Sequence, residues 1–130
     1  MKNLDAILPE LANYIADYNQ SNQAISEVAV GWHLEHSLLV IKQITATVAQ
    51  SEPKLYKSKF NTARFFVFLS KTIPRGKAKA PKAVIPSDNI TADSLQESLK
   101  NTYQAVTYLK DCEANQYFMH PFFGQLNKKQ

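Results

Sequence analysis

The sequence contains little cysteine and little glycine, and it has no long apolar run. Its single cysteine, Cys112, excludes an internal disulfide, and we interpret it as an incidental thiol in a reducing cytoplasm. No stretch approaches the roughly 18 apolar residues that a membrane span requires. The first residues, Met1 to Asp5, lack the basic start and apolar block of a signal peptide. These absences predict a cytoplasmic protein with no membrane among its partners.

Several catalytic signatures are also missing. With three glycines in total, the chain has no glycine-rich phosphate loop, and it has neither a Cys-x-x-Cys pair nor a Gly-x-Ser-x-Gly elbow. What is present is the composition of a globular protein, with 45% hydrophobic and 20% charged residues over 130 positions. We therefore interpret residues 1–130 as a single domain.

Charge is divided unevenly along the chain. Residues 53–87 include nine basic residues and no acidic one, whereas the remainder holds six basic and eleven acidic residues. A basic field of this kind attracts anions, although a solvated lysine-rich loop is the alternative. The candidate anion-binding residues are Arg75, Lys77, Lys79 and Lys82. No aromatic residue interleaves with the charges over residues 74–86, which argues against nucleic acid as a partner.

Apolar residues at three- and four-residue spacing predict helices and no sheet. The helices are expected over residues 4–18, 26–50, 61–71 and 91–112. The second is apolar nearly all round, which predicts a central position in the bundle. Thr91, with Asp93 in the first turn after it, is the clearest helix start. The residues that follow Gly124 are typical of entry into a further helix.

The short run over residues 61–71 is ambiguous. Its centre, Phe65 to Leu69, is aromatic and β-branched as in a strand, and periodicity does not decide so short a run. The helical context favours a buried helix of about three turns. We expect Trp32, Phe65, Phe66 and Phe68 to pack in the core.

His36 lies among bulky apolar residues in the middle of the second predicted helix. Burying an imidazole there costs free energy unless a partner binds it. At about 100° per residue, His33 lies roughly 60° from His36 around the helix, so both rings could face a common cavity. The alternatives are a core histidine satisfied by a polar neighbour for His36, a structural role for His33, and a loop anchor for His120.

Three motifs resemble the DinB-like superfamily of metalloenzymes, in a branch that is a domain of unknown function. They are Gly31-Trp32-His33-Leu34-Glu35-His36-Ser37-Leu38, Pro74-Arg75-Gly76-Lys77-Ala78-Lys79-Ala80-Pro81-Lys82 and His120-Pro121-Phe122-Phe123-Gly124. The resemblance covers residues 25–130. It implies an all-α four-helix bundle, often dimeric, with a long connection between helices two and three. It also implies three histidines around a divalent metal.

The resemblance makes His36 the metal ligand from the second helix, with His33 as the second candidate. His120 and Trp32 are expected to line the site. The other two ligands of the family come from a histidine-rich final helix that does not occur in these 130 residues, so the predicted site is incomplete here. Imidazole ligands with an open coordination position suit zinc, nickel or iron.

Relatives in the superfamily include thiol-dependent transferases and isomerases. The resemblance therefore implies a divalent-metal-dependent enzyme of the thiol-transferase type, which acts on a small thiol or anionic ligand and forms a homodimer. The alternative is a non-catalytic helical bundle. Such a bundle would bind a small anionic ligand or a protein partner through the basic segment of residues 71–82.

Overall fold

The computed structural model describes residues 4–70, 72 and 80–129. The helices are α1 (Leu4–Asn13), α2 (Val30–Gln50), α3 (Thr62–Ser70) and α4 (Ala92–Asp111), and the strands are β1 (Tyr117–His120) and β2 (Gly124–Asn127). Short 3-10 turns lie at Ile15–Asp17, Pro53–Leu55 and Lys82–Val84. None of the helices described has both the length and the apolar character needed to cross a membrane.

Helices α1, α2 and α4 build the core. One cluster joins Leu8, Leu38 and Val106, and a second joins Ile15, Leu34 and Leu95. Helix α2 packs along α4 and also contacts β1 and the 3-10 turns at Ile15–Asp17 and Lys82–Val84. The predicted central position of α2 is therefore confirmed.

Helix α4 begins where the sequence predicts it. The Thr91 side chain accepts a hydrogen bond from the Ser94 backbone N–H at 3.1 Å, and the Ser94 hydroxyl accepts one from the Thr91 N–H at 2.9 Å. This reciprocal capping satisfies two N–H groups that lack partners at a helix start. The helix ends before Cys112, which is half-buried.

The first two helices are shorter than predicted. Helix α1 ends at Asn13, and the chain tightens into the 3-10 turn that follows. Helix α2 begins at Val30 because the N–H groups there bond to an earlier segment. Val30 donates to the Gln20 carbonyl at 2.9 Å, and Gly31 donates to the Tyr18 carbonyl at 2.8 Å.

Helix α3 is helical as predicted, but the prediction that it is buried was wrong. None of its residues is buried, and Phe65, Phe66 and Phe68 are all exposed. Trp32, the other aromatic residue expected in the core, is half-buried. So short an apolar run does not by itself indicate whether another part of the protein covers it.

The expectation of a mainly helical fold is confirmed by the four helices, but the expectation that there is no sheet was wrong. Strands β1 and β2 pair antiparallel, with His120 opposite Gly124 and Tyr117 opposite Asn127. Gly124 has φ +71°, the left-handed conformation that ends a three-residue hairpin loop at little cost for glycine. The predicted helix entry after Gly124 is therefore strand β2.

The hairpin is fixed to the C-terminal end of α2. The Gln116 side-chain amide contacts the carbonyls of Val48, Ala49 and Ser51 at 3.2, 2.9 and 3.4 Å. The Tyr117 N–H donates to the Ser51 hydroxyl at 2.8 Å. These bonds add partners for carbonyls at the end of α2, where the last carbonyls of a helix lack the usual intrahelical N–H partner; Val48 also accepts from Ser51.

Replacing Gly31 by alanine tests how closely α2 approaches the preceding segment. An added Cβ would lie 3.0 Å from the Tyr18 oxygen and 3.3 Å from Ile90 Cγ2. We expect Gly31→Ala to lower the free energy of unfolding by about 1–2 kcal/mol, although alanine is the better helix former. The measurement is urea unfolding, with the exposed Gln43→Ala on the same helix as the control. A more stable Gly31→Ala protein would contradict the close approach.

Candidate functional site

His36 lies in the first half of α2, half-buried, with one ring nitrogen held by a distant backbone carbonyl. Its Nδ1 lies 2.7 Å from the Val84 oxygen. Because a carbonyl only accepts, Nδ1 carries the proton of this bond. In the neutral ring the Nε2 lone pair is then left available, which is the state that binds metals.

Trp32 contacts both histidines of α2. Its indole stacks on the His36 ring at 5.0 Å between centroids and 18° between planes, and it meets the His33 ring edge-on at 5.6 Å. His33 is exposed, and its Nε2 is hydrogen-bonded to the Ser26 hydroxyl at 2.9 Å. The two imidazoles therefore share an aromatic neighbour, while each ring has its own hydrogen-bond partner.

Glu35 adds an unusual carboxylate beside His36 in the sequence. Its Oε2 is buried and makes no hydrogen bond in the part of the chain described. Buried polar atoms nearly always find a partner, so an unpartnered carboxylate oxygen points to a ligand, an ion or a water at that place. In the sequence Glu35 is one residue of the motif from Gly31 to Leu38, and no role is predicted for it.

The carbonyl that orients His36 belongs to Val84, in the segment between α3 and α4. Val84 is buried, and its 3-10 turn packs on α2. Of the candidate anion-binding residues, Lys82 is exposed at the start of the same turn. Arg75, Lys77 and Lys79 lie outside the described residues.

His120 has a structural role in the hairpin. Its Nδ1 accepts hydrogen bonds from the N–H groups of Phe122 and Phe123 at 3.1 and 3.2 Å, and its ring stacks on Phe123 at 4.3 Å. Burial lowers the pKa of His120 below its ordinary value of 6.5. None of its described contacts involves His36 or Trp32, so the loop-anchor interpretation fits the geometry.

The histidines do not gather into a metal centre within residues 4–70, 72 and 80–129. In that part of the chain no group of three or more His, Cys, Asp or Glu side chains is placed to hold a metal ion. His36 fits a metal as one pre-oriented ligand, and the unpartnered Glu35 oxygen lies beside it in sequence. A full coordination shell needs further donors, such as water, a thiol or a second chain.

No family model, curated protein or solved structure matches this chain. The likeness to the DinB-like superfamily therefore stands on the motifs quoted above. The geometry of the His36 site stands independently of that likeness.

The two half-buried histidines are predicted to be opposite tautomers when neutral. His36 should carry its proton on Nδ1 because Val84 accepts from that atom, and His120 should carry it on Nε2 because its Nδ1 accepts from two backbone N–H groups. Long-range ¹H–¹⁵N correlation spectra distinguish the two forms. An Nε2-protonated His36 would contradict the oriented lone pair.

The lowered pKa of His120 predicts a pH dependence of stability. The folded pKa lies below the unfolded one, so the neutral ring stabilises the fold fully above about pH 6.5. This contribution is lost as the pH falls through the folded pKa. His120→Asn keeps a hydrogen-bond acceptor without titrating there. Urea unfolding at several pH values should show a smaller loss on acidification for this variant than for the wild type.

His33→Asn is the matched control for that experiment, because His33 is exposed and anchors no hairpin. It should keep the acid response of the wild type. An acid response unchanged in His120→Asn would show that His120 is not its source.

Proposed function

We propose that this chain is a divalent-metal-dependent enzyme in which His36 supplies a metal ligand. The observation that carries the proposal is the 2.7 Å contact between His36 Nδ1 and the Val84 oxygen. Histidines that bind metals commonly donate their second ring N–H to a carbonyl or carboxylate, which fixes the ring and directs the other nitrogen to the ion. Here a carbonyl 48 residues away performs that orientation.

The neighbours of His36 have distinct tasks in this proposal. Val84 selects the tautomer, and the stacked Trp32 ring limits rotation of the imidazole and shields one of its faces from water. Glu35 offers a carboxylate oxygen that lacks a partner among the described residues. A bound zinc, nickel or iron would lower the pKa of a coordinated thiol or water.

The thiol-transferase class of reaction rests on the DinB-like resemblance, and so does the proposed homodimer. A cytoplasmic location is proposed because a lone, half-buried thiol such as Cys112 suits a reducing compartment. The proposed substrate is a small thiol or anionic molecule.

A second function is a non-catalytic bundle that binds a small anionic ligand or a protein partner through residues 71–82. One observation favours it. Because the turn at Lys82–Val84 is docked on α2, the C-terminal end of this basic segment is fixed close to His36 and Trp32. An anion held there would meet a positioned imidazole.

Metal titration of the 130-residue protein tests the proposed ligand. Adding cobalt or nickel should perturb the ring nitrogens of His36 first, and binding should be weak because one imidazole is a single ligand. His36→Ala should abolish the response, whereas His33→Ala should retain most of it. Isothermal titration and long-range ¹H–¹⁵N spectra of each variant provide the readout.

A first response at His33 or His120 would reject His36 as the ligand. Complete absence of metal binding, together with retention of small anions by the wild type, would favour the second function.

A further inference from the structure

Helix α3 and the hairpin expose a large apolar surface at one end of the molecule. The aromatic patch, as we define it, consists of Phe60, Phe65, Phe66, Leu69, Met119 and Phe122. Phe60 is 78% exposed, Phe66 is 64% exposed and Leu69 is 69% exposed. Large contiguous apolar surfaces are rare on soluble monomers and mark places where another body binds.

Contacts link several members of the aromatic patch. Phe65 contacts Phe60 at 6.0 Å and Phe66 at 5.6 Å between ring centroids. Phe60 and Met119 both line a cleft of about 340 Å³ between the segment preceding α3 and the hairpin. The Asn61 side-chain amide donates to the Phe122 carbonyl at 3.0 Å, which joins the hairpin loop to the start of α3.

In the sequence, most of the positive charge lies in the segments that include these two elements. Residues 53–87 and 114–130 together hold eleven basic residues and no acidic one, whereas the rest of the chain holds four basic and eleven acidic residues. Lys57 and Lys59 line the cleft beside Phe60. The nearest acidic residues in sequence, Glu52, Asp88 and Glu113, lie just outside these segments. A partner that covers both the aromatic patch and these two lysines is therefore favoured if it is apolar and negatively charged.

We propose that the aromatic patch and its flanking lysines bind the surface of an anionic lipid bilayer. The side chains of the aromatic patch come from the segment before α3, from α3 itself and from the hairpin, so they form a broad surface and not a single helical stripe. A partner groove usually takes a stripe of anchors from a single helix. A bilayer accepts apolar side chains from several segments at the boundary of headgroups and acyl chains, while lysines such as Lys57 and Lys59 reach the anionic headgroups.

This contact differs from a membrane span. A helix that spans a membrane needs a long apolar run, which the described helices lack. A contact with the membrane surface needs exposed apolar and basic side chains close together. It is also separate from the His36 site. The hairpin docks near Val48, twelve residues beyond His36 on α2, or about 18 Å along the helix axis. The two proposals therefore fail independently.

Vesicle flotation tests the proposal with the full chain. Wild type should float with phosphatidylcholine vesicles that contain about 30% phosphatidylglycerol, and it should not float with phosphatidylcholine alone. Phe66→Ser combined with Lys57→Glu should lower the partition coefficient about tenfold or more. Both side chains are exposed, so the fold should persist, and circular dichroism checks this.

The matched control is Tyr108→Ser combined with Lys100→Glu on α4, which removes one exposed aromatic ring and reverses one exposed lysine away from the aromatic patch. It should bind vesicles like the wild type. An equal loss in both double variants would overturn the proposal, because net charge alone would then explain binding. Failure of the wild type to float would also overturn it, and retention on immobilised polyglutamate in that case would assign the surface to an acidic protein.

Discussion

The packing of α2 against α4 is the contact on which the other elements depend. Leu34 and Leu38 of α2 belong to one core cluster each, and Leu8 of α1 packs in the cluster that contains Leu38. The interface also contains buried hydroxyls. Thr45 and Thr102 each donate to the carbonyl four residues earlier in their own helix, so neither needs a partner across the interface. The turn at Lys82–Val84 is then fixed to the first half of α2 at His36, and the hairpin is fixed to its C-terminal end.

The sequence was sufficient where local chemistry decides the structure. The cap at Thr91 and the central position of α2 both follow from residues within a few turns of each other, and the structure confirms them. The start of α2 was missed because it is set by bonds from Val30 and Gly31 to carbonyls at positions 20 and 18. A backbone carbonyl has no signature in the amino-acid sequence.

The larger errors concern what covers an apolar segment. The phenylalanines of α3 have the composition of a core helix, yet the helix packs on the hairpin at its edge and leaves most of its surface exposed. At the hairpin, Gly124 after a proline and two aromatic residues is a turn signal, but the residues that follow it were interpreted as entry into a helix. At the candidate site, His36 could be selected from the sequence. Its tautomer could not, because Val84 is distant in the chain and contributes only a carbonyl.

The Gln116 amide gives α2 an end cap that is made late. In a chain synthesised from the N-terminus, the carbonyls of Val48, Ala49 and Ser51 emerge from the ribosome 65 to 68 residues before the side chain that bonds to them. Until then only Ser51, through its backbone N–H and hydroxyl, bonds to the Val48 carbonyl among these contacts. During synthesis, these hydrogen bonds at the C-terminal end of α2 therefore form only after Gln116 has been made.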